Sequence, residues 1–254
     1  MFVRPIAIAC SLVIIFLSAA MARADQALVA VAANFAEVVE ELRPAFEKAT
    51  GHQLQITTGS TGKLYAQIKA GAPFQILLSA DTRTPERLET ENAAVAGSRF
   101  TYAVGRLTLW STDPARIGPD GAAALKAADV RHIAIANPEL APYGVASRET
   151  LQALGVWETL RAKIVIGQNI GQTHSLVATG NAQLGFVALS AVVGPRVKDK
   201  GSRWDVPQKL FNPIKQDATL LNAGRDNKAA IAFLKYLRTP EALAVIDRYG
   251  YGTD

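Results

Sequence analysis

Residues 27–32, ALVAVA, form an unbroken apolar run that ends just before a small polar residue, Asn34. This junction constrains the fold more than any other stretch. The run is too short for a helix and shows no polar alternation, which predicts a strand buried on both faces in a parallel sheet covered by helices. Asn34 reads as the N-cap of the next element, with Glu37 three residues on, close to a capping box. Phe35, Val38, Val39, Leu42 and Phe46 then recur at helical spacing as far as Thr50, and Gly51 closes the helix. Gln53 to Thr58 alternates like a strand, Ser60 or Thr61 caps a second helix through Leu64 and Ile68, and Phe74 to Leu78 is a third strand. Strands and helices alternating at these intervals predict βαβ units and an open parallel sheet.

The pattern resumes with a different rhythm. Leu107–Trp110, Ile133–Ile135, Lys163–Ile166 and Leu184–Ala188 read as strands. Ala146–Leu154, after Pro142-Tyr143-Gly144, reads as a helix, as do Gln172–Thr179, Lys228–Leu237 and Pro240–Tyr249. This many elements fit two lobes of roughly 100 residues each better than one.

The N-terminus reads separately. Arg4, the apolar run Ile6–Ala20 and the small-x-small site Ala22-Arg23-Ala24 predict a secretory signal peptide over residues 1–24, leaving Asp25 as the new N-terminus. An uncleaved anchor is the alternative, but the run falls short of the ~20 residues a span needs. A lipidated Cys10 is disfavoured because little apolar sequence precedes it. Cys10 is the only cysteine, so the exported chain relies on packing and not on disulfides. The net charge of +5 is spread along the chain without a basic block or zinc-finger spacing, which argues against a nucleic-acid partner.

Enzyme chemistry finds little support. His52 and His132 sit at element ends, His174 lies in the first turn of a helix, and no G-x-S-x-G elbow precedes a helix. Gly59-Ser60-Thr61-Gly62-Lys63 fails as a phosphate loop: Thr57 replaces the first glycine, and Leu64 stands where a hydroxyl should hold magnesium. What recurs is a small polar residue where a strand turns into a helix: Asn34, Ser60-Thr61, and the Asn169-Ile170-Gly171-Gln172 stretch. Helix N-termini carry unpaired N–H groups and partial positive charge. In open α/β sheets these ends line the ligand crevice. Several converging from two lobes would surround a small oxyanion with neutral donors.

The words at these positions resemble the periplasmic molybdate-binding proteins of ABC transporters. The most specific block is Gly59-Ser60-Thr61-Gly62-Lys63-Leu64-Tyr65-Ala66-Gln67-Ile68 with Gly71-Ala72-Pro73 and Ser79-Ala80-Asp81. Ala30–Phe35, Ala136–Glu139, Pro142-Tyr143-Gly144, Gly185-Phe186-Val187 and Arg248–Tyr251 follow in the right order. The resemblance implies a type II periplasmic-binding-protein fold: two α/β lobes, each a mostly parallel sheet flanked by helices, with the ligand cleft between them. It places residues 25–103 and 217–254 in the first lobe and 104–216 in the second. It also implies that the protein is not an enzyme, uses no cofactor, works as a monomer in the periplasm and delivers molybdate or tungstate to the transporter's membrane subunits. The implied ligand set is Asn34 by side chain and backbone N–H, Thr61 with Ser60 beside it, and the backbone N–H groups of Tyr143 and Ile170. Molybdenum then enters only as its oxyanion, with no protein atom on the metal. Some members place a tyrosine hydroxyl on the anion where this chain has Ala188, with Ala33 or Ser190 as poor substitutes. Gln75 stands where the family usually has Asp, a position expected at the lobe interface, and Lys63 is expected at the cleft mouth in solvent.

Fixed neutral donors discriminate by anion radius where arginines would bind many anions, so sulfate, of the same charge and shape but smaller, is expected to bind weakly. A binding protein for sulfate or another tetrahedral oxyanion is the near alternative. Phosphate would need an inward acceptor, and no acid stands at the cap positions. The alternative of another class is a secreted serine hydrolase pairing Ser60 with His174. A sensory domain of a regulator fits poorly with an export signal and no DNA-binding extension.

Overall fold

The computed structural model describes residues 25–197 and 201–252. The expected signal peptide, residues 1–24 with Cys10, lies outside the described residues. In chain order the strands are β1 (Gln26–Ala32), β2 (Gln53–Gly59), β3 (Ile76–Leu78), β4 (Phe100–Gly105), β5 (Leu107–Ser111), β6 (Ile133–Ala136), β7 (Ile164–Gly167), β8 (Leu184–Ala188), β9 (Ser202–Asp205) and β10 (Ile214–Leu220). The helices are α1 (Ala36–Thr50), α2 (Thr61–Lys69), α3 (Arg83–Thr90), α4 (Gly121–Ala124), α5 (Pro142–Ala153), α6 (Trp157–Leu160), α7 (Ile170–Ala178), α8 (Ser190–Val193), α9 (Lys228–Tyr236) and α10 (Pro240–Arg248).

Two five-stranded sheets result, in the orders β2-β1-β3-β10-β4 and β7-β6-β8-β5-β9. β1 pairs in parallel with β2 and β3, and β6 with β7 and β8. In each sheet one strand, β10 or β5, runs against both of its neighbours. These are the two-lobed, mostly parallel sheets expected from the alternation of elements. The reversed strands sit beside the crossings. The chain leaves the first sheet at Arg106, the single residue between β4 and β5, and returns across residues 206–213. Ile214 pairs with Gly105, so residues 104–105 and 214–216, which the sequence reading put in the second lobe, lie in strands of the first sheet, while the Ile214 side chain packs into the second-lobe core.

Alternation along β1 shows how a sheet buried on both faces builds its core. Val29 and Val31 join Phe46, Phe233 and Ile246 under α1, α9 and α10. Ala30 points the other way, to Leu64, Leu77 and Leu88 under α2 and α3. In the second lobe Ile133, Ile135, Phe186 and Leu151 pack under α5, while Ala134 and Val187 meet Val177 of α7. Pro44 lies inside α1 and removes one backbone donor, yet the helix runs on to Thr50 because Leu42 and Phe46 on either side are buried. Phe46 is fully buried and meets Phe233 edge-on with ring centroids 5.2 Å apart. Phe46→Ala is expected to destabilise the protein by about 3–5 kcal/mol, read as a lower urea midpoint at unchanged m-value.

Candidate functional site

Four chain segments turn from strand into helix at one place between the lobes. β1 enters a 3₁₀ turn (Ala33–Phe35) that continues as α1, and β2 enters α2. From the other lobe, β7 enters α7 and the segment after β6 enters α5. Their starts line a small cavity of about 10 Å³, far below the ~300–1,000 Å³ of sites for organic ligands. Twelve residues line it, Asn34, Ser60, Thr61, Tyr143 and Ile170 among them, and none carries a charge. The lobes touch directly beside it. Gly62 N–H donates to Leu140 O across the gap at 2.9 Å, and a Cβ on Gly62 would stand 3.2 Å from the Leu140 backbone.

The structure gathers all five expected residues, but not all in the expected way. Ser60 occupies the N-cap position of α2, yet its hydroxyl caps nothing. Among the described residues its buried Oγ has no hydrogen-bond partner. A buried hydroxyl without a partner costs about 1–3 kcal/mol, so this oxygen stands where a ligand would satisfy it. Thr61 follows at the first helical position, where its Oγ1 accepts from Ala80 N–H at 3.1 Å and keeps its own hydrogen to give. Tyr143 stands after Pro142 in the first turn of α5, and Ile170 opens α7 behind Asn169, whose side chain accepts from Gln172 N–H at 2.9 Å. The first N–H groups of each helix have no intrahelical acceptor.

Asn34 departs from the reading. It sits inside the 3₁₀ turn, and Phe35 holds the cap position of α1 without a side-chain bond. Its Nδ2 donates to Gln216 Oε1 at 2.8 Å and to Tyr251 Oη at 3.1 Å. Both amide hydrogens are thus committed, and the donor it retains for a ligand is its backbone N–H. Ser190 Oγ donates to Asn34 O at 3.2 Å and meets Tyr251 Oη at 3.1 Å, so it braces the lobes behind the cavity and does not line it. Ala33 lines the cavity and carries only backbone polar groups. Ala188, at the end of β8, is buried and lines the neighbouring groove. Gln75 lies away from the lobe interface: its side chain accepts from Leu28 N–H, and its backbone packs against Gly224. Lys63 is exposed and does not line the cavity.

Ser60 and His174 do not meet. His174 stacks on Trp110 with ring centroids 4.8 Å apart and planes 16° apart, and burial holds its imidazole below the usual range. It faces the groove next to the cavity, not the Ser60 hydroxyl.

Sequence reasoning did not single out the buried network behind the cavity. Gln216 Oε1 also accepts from Tyr102 Oη at 3.1 Å, and Gln216 Nε2 donates to Tyr143 Oη at 3.2 Å. Burial raises the Tyr102 and Tyr143 hydroxyls well above their ordinary value and pushes Tyr251 up to about 12. The network is therefore neutral at physiological pH. The one sequence signal was a polar pair, Gln216-Asp217, inside the strand-like stretch IKQDATL.

Two α/β lobes that meet at a small cavity between converging helix starts define the periplasmic-binding-protein fold. A profile described as bacterial extracellular solute-binding protein matches residues 27–252. The chain is 51% identical to the molybdate-binding protein ModA of Rhodobacter capsulatus, over 92% of this chain and 90% of that protein. It is 50% identical to the molybdate-binding protein ModA of Azotobacter vinelandii over 93% of each. The solved Azotobacter vinelandii periplasmic molybdate-binding protein superimposes with a TM-score of 0.86 at 40% identity, over 90% of this chain and 99% of that one. The chain belongs to the bacterial extracellular solute-binding protein family.

The buried tyrosine gives a pH prediction. Tyr251 is held at about 12 when folded, above the ~10 of an unfolded tyrosine. Its contribution to stability is fully present below pH ~10 and is lost as pH rises toward 12, because the unfolded chain releases the proton first. Tyr251→Phe should flatten the fall in melting temperature over that window relative to wild type, measured by calorimetry across an alkaline pH series.

Proposed function

We propose that this protein captures molybdate, and tungstate with it, and delivers the anion to the membrane subunits of an ABC transporter. The observation that carries this reading is the unpartnered Ser60 hydroxyl in an uncharged cavity ringed by four helix starts, two from each lobe. Each helix start carries partial positive charge on its unpaired N–H groups, so their convergence favours a negative ion. Hydrogen bonds from neutral donors to a charged group contribute about 1.5–3 kcal/mol each. No fixed cation is needed, and the site has no carboxylate that would accept from a protonated phosphate. The relatives that are half identical over nearly the full length are named as molybdate-binding proteins, which favours molybdate over sulfate. The match to an extracellular solute-binding family and the export signal expected in residues 1–24 support work in the periplasm, where the protein would act as a monomer and turn nothing over.

Closure would be a hinge motion about the two crossings, bringing the second-lobe donors of α5 and α7 onto an anion first held by α2 and the turn before α1. Size selection follows from rigidity. A smaller tetrahedron cannot reach every donor at once, and each donor left unpaired costs about 1–3 kcal/mol.

Titration calorimetry should therefore give tight molybdate binding and weak sulfate binding, with equal competition by sulfate contradicting the selectivity. Ser60→Ala should lower molybdate affinity by about tenfold or more. The same change should leave the melting temperature of the ligand-free protein unchanged or slightly raised, because it removes an unsatisfied buried hydroxyl. A variant that lost stability and kept its affinity would show that the hydroxyl serves the fold and not the anion.

A further inference from the structure

The oxyanion reading leaves open what holds the two donor sets at a fixed separation. Gln216 is fully buried on β10, the strand that carries the chain back from the second lobe, beside a bulge between Gln216 and Asp217. Its carboxamide reaches a cavity-lining residue of each lobe. Oε1 accepts from Asn34 Nδ2 at 2.8 Å on the first-lobe side, and Nε2 donates to Tyr143 Oη at 3.2 Å on the second-lobe side. Tyr102 Oη shares its single hydrogen between Ser79 O at 2.9 Å and the same Oε1 at 3.1 Å, so that oxygen faces two donors. Gly105, the last residue of β4 before the first crossing, closes the arrangement. A Cβ there would lie 2.5 Å from Gln216 Nε2 and closer still to Tyr143 Oη. Only a hydrogen fits where the amide, the hydroxyl and the crossing meet.

We propose that Gln216 is a positioning residue that couples lobe closure to anion size: it sets the distance between the Asn34 and Tyr143 backbone donors in the closed state. The inference rests on the oxyanion reading of the cavity. A residue that merely completed the first lobe would have no need of Tyr143. One carboxamide bonded to a lining residue on either side of the cleft fixes their spacing as a planar strut, and Ser190 and Tyr251 hold Asn34 O from behind. Removing the strut loosens the separation of the donors without removing a donor. The cost should fall on discrimination and on residence time, more than on the capacity to bind an anion.

The test compares wild type, Gln216→Leu, Tyr143→Phe and the double variant, with molybdate and sulfate affinities by calorimetry, release rates by stopped flow and melting temperature of the ligand-free protein. For Gln216→Leu the expected result is at least about a tenfold fall in the molybdate-to-sulfate affinity ratio with faster molybdate release. Tyr143→Phe keeps its backbone N–H and should shift the ratio in the same direction by a smaller factor. The double variant should be little worse than Gln216→Leu alone, because both substitutions break one linkage. The proposal is overturned if the two anions lose affinity by the same factor, if the ratio is unchanged, or if the two substitutions add independently. Should Gln216→Leu fail to fold, the ratio measured for Tyr143→Phe decides by the same criterion. Wild type that bound neither anion would instead overturn the oxyanion reading, and this inference with it.

Discussion

The structure depends on one property of the backbone: the first turn of a helix has N–H groups and no intrahelical acceptors for them. Buried donors without partners are costly, and proteins usually satisfy them with a capping side chain or water. Here four helix starts from two separate sheets are brought face to face. At one of them the residue in the capping position, Ser60, leaves its own hydroxyl unspent. The αβ architecture makes that convergence possible, because parallel strands deliver their helices at the same edge of each sheet. The two crossings at Arg106 and across residues 206–213 then let the two edges face each other.

Behind the donors lies a second layer that carries no charge but is densely bonded. Asn34, Gln216, Tyr102, Tyr143, Ser190 and Tyr251 exchange hydrogen bonds between 2.6 and 3.2 Å. Such a layer is favourable only when every polar group finds a partner, and the high pKa values of its tyrosines keep it protonated and neutral. Its members come from both lobes, so the network is complete only when the lobes are shut. A lining without charge and a backing without charge leave backbone dipoles and the Ser60 and Thr61 hydroxyls as the source of any attraction inside the proposed anion site.

Much of this was legible in the residues. The run 27–32 and the helical spacing from Phe35 to Phe46 gave the first strand and helix because a sheet buried on both faces needs unbroken apolar strands. Ser60-Thr61 and Asn169-Ile170 marked two of the four helix starts, since strand-to-helix junctions favour small polar residues. The strands on either side of the return crossing were not legible. β10 carries Gln216 and Asp217 inside it, and β9 (Ser202–Asp205) is a short polar edge strand, so neither shows the apolar signature of its neighbours. α3 (Arg83–Thr90) buries only Pro85 and Leu88, too few apolar residues to show a helical stripe. Asn34 was mistaken for a cap because a local pattern cannot reveal partners at Gln216 and Tyr251, 182 and 217 residues away.

The most direct test is a crystal structure of the protein loaded with molybdate, the anion located by anomalous scattering from the molybdenum. The account predicts its oxygens within hydrogen-bond distance of the Ser60 hydroxyl and of backbone N–H groups at Asn34, Thr61, Tyr143 and Ile170, with no lysine or arginine nitrogen in contact. An ammonium or guanidinium group touching the anion, or an anion bound anywhere other than between these four helix starts, would contradict it.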